Sequence, residues 1–238
     1  MTPGRRTVLA ALTAMPVVWR AARIVGQGKP VVYVYVHTDA KSATLEKSLQ
    51  QRLPELAVTV FGRYRDFEEA LDARRPDAVV GSAALLAARN LQPTLQGRRG
   101  DKEWEPYVLL SSGTLAGPLN GKVIGVVDLL GRSATQEFAA KLLKTPDIKL
   151  KRVTKMEDLL PLLQFAAADG VLVPSAIVKS LTERSRLPLQ VRELPDARVG
   201  LIAVGVVNLA ARDLLVRQFQ ALDAVTNAAL GIERWRVR

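Results

Sequence analysis

The run Asp128-Leu129-Leu130-Gly131-Arg132-Ser133-Ala134-Thr135-Gln136 places one carboxylate and two hydroxyls directly after an apolar stretch that ends at Val127. A helix starting there leaves its first backbone N–H groups unpaired, and with Ser133 and Thr135 they form a cradle suited to an anion. The same residues also read structurally, with Ser133 as the N-cap and Gln136 closing a capping box. The two readings are compatible, because a ligand oxygen takes the donors a cap leaves free. Ser133 and Thr135 are therefore expected to serve a ligand more than the fold.

Other candidates stand at similar junctions. His37-Thr38-Asp39 follows the first apolar run and Gly81-Ser82 follows the third, both at the carboxyl ends of expected parallel strands, where ligands of open α/β sheets bind. His37 taken alone reads as a structural histidine rather than a binding one. Tyr64, in Gly62-Arg63-Tyr64-Arg65, has an apolar ring and a polar tip and could close over a ligand, or lie on the surface. Ala116-Gly117-Pro118-Leu119-Asn120-Gly121-Lys122-Val123 fails as a phosphate loop. Ala116 stands where glycine is needed, Val123 where Ser or Thr is needed, and the run precedes a strand rather than a helix.

Composition excludes whole classes of chemistry. There is no Cys and a single His, so disulfides, thiol catalysis, thiolate metal sites and most His relays are absent, and no cofactor or metal is expected. Asp128 or Asp169 as a general base lacks a convergent acid and electrophile, so an enzyme is not expected. The 34 Lys and Arg outnumber the 23 Asp and Glu for a net charge of +11, yet aromatics are 5%, too few for nucleic-acid stacking platforms. No nucleic-acid partner is expected.

These side chains must be positioned by an alternation of strands and helices. Val31 to Val36, Val58 to Phe61 and Ala78 to Val80 read as strands, separated by helices over 42–53 and 66–73, with Asp66 as the N-cap of the second. Residues 93–106, with Pro93, Gly97, Gly100, Pro106 and five charges between Arg98 and Glu103, read as a solvated loop. The rhythm then resumes with strands at 107–110, 122–127, 149–153, 171–173 and 189–194 and helices at 133–143, 156–167 and 176–182. An apolar strand over 199–207 and one long helical pattern through Leu214, Leu215, Phe219, Leu222 and Val225 follow. Arg98-Arg99, Lys149 to Lys155 and Arg234 to Arg238 read as solvated faces. The pattern implies an α/β, two-lobed architecture: two βαβ lobes joined by two crossing strands, with a hinge and a cleft. Lobe 1 is expected over 29–108 plus 203–238 and lobe 2 over 109–202.

Residues 1–28 contain Arg5, Arg6, Arg20 and Arg23, no acid, and an apolar stretch from Val8 to Trp19. This is an export pattern in which Arg5-Arg6-Thr7-Val8-Leu9 resembles a twin-arginine motif, with an uncleaved membrane anchor as the alternative. Without those four charges the body keeps +7, compatible with anionic ligands or membrane surfaces. A periplasmic location is expected.

Tyr64, Ala70-Leu71, Asp77-Ala78 and Gly81-Ser82, in that order, resemble the first lobe of type II solute-binding proteins, in the branch serving phosphonate and sulfonate ABC transporters. Leu119-Asn120-Gly121-Lys122-Val123 resembles the entry strand of that family's second lobe, Asp128 to Thr135 its ligand loop, and Ala168-Asp169-Gly170-Val171 a turn and strand reporting a second cleft position. The resemblance spans about residues 30–210. Its ligand loop departs from the family by having Ala134 within it and Gln136 after it. It implies a small anionic ligand held by Thr38, Tyr64, Ser82, Ser133, Thr135 and Asp169, a membrane transporter as partner, and a monomer. The open alternative is the same fold used as a ligand-free interaction or signalling module for a membrane receptor or sensor.

Overall fold

Parallel strands buried on both faces need continuous apolar residues, and two sheets are built on such runs. The computed structural model describes residues 28–36 and 41–238, so His37, Thr38, Asp39 and the export-like segment lie outside the described residues. The first lobe opens with β1 (Val31–Tyr35), α1 (Ser42–Arg52), β2 (Ala57–Phe61), α2 (Tyr64–Ala73), β3 (Ala78–Ser82), α3 (Ala83–Ala88) and β4 (Pro93–Arg98). Next come β5 (Trp104–Ser111), β6 (Val123–Val127), α4 (Arg132–Leu143), β7 (Lys149–Val153), α5 (Leu159–Gln164), β8 (Gly170–Pro174), α6 (Val178–Arg184) and β9 (Gln190–Gly200). The chain continues through β10 (Ile202–Val206), α7 (Arg212–Gln220), α8 (Ala224–Ala229) and β11 (Arg234–Val237).

The first sheet has the order β11-β4-β10-β3-β1-β2 and the second β7-β6-β8-β5-β9. The lobes share a plan. In each, three parallel strands (β2-β1-β3 and β7-β6-β8) are followed by one antiparallel strand, β10 in the first and β5 in the second. The chain therefore changes sheet twice, between β4 and β5 and between β9 and β10.

Alternation along β1 sorts its side chains between two cores. Val32 and Val34 join Leu45 and Leu49 of α1 and Leu215 and Phe219 of α7, while Tyr33 and Tyr35 face Phe67 of α2 and Leu85 of α3. In the second lobe Ile124 and Val126 pack on Ala139 and Leu143 of α4. Val127, Val171 and Val173 pack on Leu159 and Leu163 of α5.

A repeated device fastens the third parallel strand of each lobe to the first. Asp77 donates its N–H to the carbonyl of Val31 (2.8 Å), and its carboxylate accepts from Val31 N–H (2.7 Å). Asp169 does the same with Val123, at 2.8 Å for each bond. One carboxylate thus satisfies a backbone donor at the strand's amino end, where the sheet offers no acceptor.

Several expectations need correction. Residues 93–98 are not loop but an inner strand, with Leu95 and Gln96 buried between β10 and β11. Gly97 allows this: a Cβ there would lie 2.6 Å from Ile232 Cγ2 and 2.8 Å from the Ile202 carbonyl. The strand expected over 199–207 breaks at Leu201, whose N–H bonds to the Glu103 carbonyl (2.8 Å) while the Gln96 amide donates to the carbonyls of Leu201 and Ile202. Gly200 sits against α3, where a Cβ would be 2.6 Å from that of Ala83. Asp66 does not cap α2; Arg63 occupies that position, and Asp66 stands in the first turn, where a carboxylate favours the helix dipole. The long final helix is two, because Asp223 accepts from Thr226 N–H (2.8 Å) and starts α8. Arg234 to Arg238 are not a simple solvated face: Arg234–Val237 form the edge strand β11, whose Trp235 is buried, while Arg236 (2.9 Å) and Arg238 reach the Glu103 carboxylate.

Candidate functional site at the seam between the lobes

The carboxyl ends of both sets of parallel strands meet at one seam. From the first lobe come Tyr35, the last residue of β1, Phe67 and Tyr64, the first residue of α2; from the second come Leu129, Leu130 and Gly131, between β6 and α4, and Phe138. Tyr35 stacks on Phe67 (5.4 Å, 16° between planes) and meets Tyr64 edge-on (5.8 Å, 70°). Its hydroxyl donates to the Asp128 carbonyl across the seam (3.1 Å). Burial pushes the Tyr35 phenol far above its ordinary range, and the charge of Asp128 and then Tyr64 push it further, so it stays a neutral donor.

The loop after β6 is held by Thr135, which is 1% exposed. Its hydroxyl donates to the Asp128 carboxylate (2.8 Å) and accepts from Leu130 N–H (3.1 Å). The α4 N-cap is Gly131 at φ +84°, and no side chain caps the helix. Gly131 is required twice, since the left-handed backbone favours glycine and a Cβ would lie 2.7 Å from Tyr64 Cε1. Behind the loop, Phe138 meets Tyr107 edge-on at 6.0 Å.

Tyr64 is fixed at its polar end. Arg89, just past α3, donates to the Tyr64 hydroxyl and to the Glu68 carboxylate (2.8 Å), and the hydroxyl donates to Glu68 (3.3 Å). Burial raises the Tyr64 phenol above its usual value and Glu68 adds to this, while Arg89 pulls it back. The chemistry here is contact and hydrogen bonding between neutral rings and backbone carbonyls. Beside the seam a cavity of about 10 Å³, lined in part by Leu129, Thr135 and Phe138, has room for roughly one water molecule.

The structure distributes the sequence-derived site residues unevenly. Tyr64 and Thr135 come to the seam, Thr135 with its hydroxyl engaged inside the loop. Ser82, half-buried at the end of β3, caps α3 by accepting from Leu85 N–H (3.1 Å). Ser133 is exposed and neither caps α4 nor shares a capping box with Gln136, whose amide donates to the Ile148 carbonyl (2.8 Å). Asp169 lies at the amino end of β8, about 16 Å from the seam at about 3.3 Å per residue, and is not brought together with the others. Thr38 lies outside the described residues. Sequence reasoning missed Tyr35, Glu68, Arg89 and Gly131. The available signal was position, a tyrosine next to the end of the first apolar run and a glycine two residues before the expected helix. Among the described residues no group of three or more carboxylate or imidazole side chains could hold a metal ion.

No family model and no curated protein sequence matches the chain. Solved structures do. The arginine-, lysine-, histidine-binding protein ArtJ of Geobacillus stearothermophilus is 16% identical over 85% of this chain and 88% of its own, with a TM-score of 0.56. The periplasmic VFT2 domain of Bordetella pertussis BvgS is 17% identical over 85% and 92%, with a TM-score of 0.54. The GluR0 ligand-binding core of Nostoc punctiforme, bound to L-glutamate, is 14% identical over 85% and 95%, with a TM-score of 0.56. The ligands these descriptions name are amino acids, not phosphonates or sulfonates. With two sheets of matching plan, two sheet-changing connections and a seam at the strands' carboxyl ends, the chain has the two-lobed α/β fold of the periplasmic solute-binding proteins.

Proposed function

We propose that this chain is an extracytoplasmic binding module that works with its lobes joined, presenting a closed two-lobed body to a membrane receptor or sensor rather than carrying a solute. One observation carries the reading: the seam is filled by the protein's own side chains. Tyr35, Phe67 and Tyr64 on one side and Leu130, Gly131 and Phe138 on the other occupy the cleft position. A solute shifts a two-lobed equilibrium only by its differential affinity for the closed state, and here the closed state already has its contacts. The export-like N-terminal pattern and the fold support the extracytoplasmic placement. Among the described residues no helix is long and apolar enough to cross a membrane.

Small-angle scattering and calorimetry with L-arginine, L-glutamate, phosphate, methylphosphonate and taurine test the reading. The expected result is a constant radius of gyration, matching the closed structure, and no binding heat. Compaction from a more open form on adding any one of these compounds overturns it.

A second reading is capture of a small anion for an ABC-type transporter. The favouring observation is that the α4 amino end, with its unpaired first-turn N–H groups, opens on the seam beside a chain of net charge +11. Under it the lobes part, and Ser133, Ser82 and the Tyr64 hydroxyl face the solute.

A further inference from the structure

Tyr64 is held as a bound small molecule would be. One edge of its ring lies on Gly131 of the opposite lobe, where a Cβ would be 2.7 Å from Cε1, 3.2 Å from Cζ and 3.3 Å from the hydroxyl. Tyr35 packs edge-on at 5.8 Å, and Phe67 lies 6.2 Å away at 55°. At the polar end the Arg89 guanidinium and the Glu68 carboxylate meet the hydroxyl, and the guanidinium carbon stands 5.5 Å from the ring centroid. Apolar walls with a small convergent polar group at one end are the make-up of a ligand site.

We infer that Tyr64 is a tethered ligand, and that the space it fills is a slot for a small phenol shared between the two lobes. The inference rests on the closed reading above and adds what closes the body and which chemistry can replace it. Both partners of the hydroxyl come from the first lobe, so they hold the ring in place; the ring edge on Gly131 joins the lobes. A side chain attached to the site acts at an effective concentration that a free competitor does not match, so the intact chain excludes free phenols. Removing the ring leaves an apolar-walled space, which accepts a ligand of matching shape. A phenol fits, because an unsubstituted ring leaves Arg89 and Glu68 without their shared hydroxyl.

The test uses Tyr64→Ala with p-cresol, the free counterpart of the missing side chain, read by small-angle scattering and calorimetry. The expected result is a larger radius of gyration for Tyr64→Ala, returned to the wild-type value by p-cresol. Binding is expected to be at least about tenfold tighter than toluene, which lacks the hydroxyl, and undetectable on the wild type. An unchanged radius together with no p-cresol binding overturns the inference. Should Tyr64→Ala fail to fold, Tyr64→Leu decides: leucine lacks Cε1, Cζ and the hydroxyl, the atoms that meet Gly131, so an expanded body supports the inference and an unexpanded one overturns it. A solute that compacts the wild type refutes the closed reading, whereas p-cresol failing to bind an expanded Tyr64→Ala refutes the tethered-ligand inference alone.

Discussion

The Tyr35 hydroxyl donates to the backbone carbonyl of Asp128 at 3.1 Å, joining residues 93 positions apart on opposite lobes. The donor ends β1 and the acceptor follows β6, so the equivalent first strands of the two lobes are joined almost end to end. Tyr35→Phe keeps the ring packed on Phe67 and removes the hydroxyl that makes this bond. The expected loss is about 0.5–1.5 kcal/mol, a few degrees in Tm, with the scattering profile unchanged. An expanded profile for this variant would show that the polar contact, not the apolar seam, holds the lobes.

Thr135 and Ser133 should separate in a stability measurement. Thr135→Val leaves Leu130 N–H without its acceptor in a buried loop, at an expected cost of about 1–3 kcal/mol. Ser133→Ala changes an exposed residue that caps nothing and should stay within about 0.5 kcal/mol. Urea unfolding of both variants checks this, and equal losses would contradict the role given to the Thr135 hydroxyl.

Asp169 makes part of the stability acid-sensitive. The backbone N–H of Val123, aided by Lys122, holds its carboxyl below the usual range against a smaller opposing effect of desolvation. A carboxylate with a lowered folded value contributes fully above its unfolded pKa, about 3.9, and loses that contribution as pH falls through the folded value. The Tm gap between wild type and Asp169→Asn should therefore be widest near neutral pH and close towards the lowest accessible pH. A gap independent of pH would mean that the charged form contributes nothing beyond its geometry.

Edge strand β2 is shielded by α1. Its N–H groups at Val60 and Val58 donate to Glu46 (2.7 Å) and Gln50 (3.0 Å), which satisfies donors that an edge otherwise presents to another chain. Glu46→Leu with Gln50→Leu should add concentration-dependent self-association in analytical ultracentrifugation. Sedimentation indistinguishable from wild type would show that the edge is protected by something else.

Local pattern alone makes the parallel strands and most of the helices that flank them legible. Val31–Tyr35, Ala78–Val80 and Val171–Val173 lie inside sheets, and burial on both faces writes itself into the chain as continuous apolar runs. Leu45 and Leu49 show the face of α1 for the same local reason, and the strand-to-helix junction at Asp128 marked one side of the seam. The remainder depends on contacts between residues far apart along the chain. Strand β4 has few apolar residues, and Gln96 is buried because the carbonyls of Leu201 and Ile202, more than 100 positions away, come to its amide. The apolar run around Leu201 shows no break of its own; the break exists because Gly200 meets Ala83 while Leu201 bonds to Glu103. At the seam, helical periodicity put Thr135 on α4, but only the folded loop turned its hydroxyl inward to Asp128 and Leu130. Gly131 is legible neither as the N-cap of α4, a place the local pattern gives to Ser133, nor as the surface that receives Tyr64. Local pattern encodes which face of an element is apolar, whereas the partner of that face is set by packing two lobes whose contacting residues lie far apart along the chain.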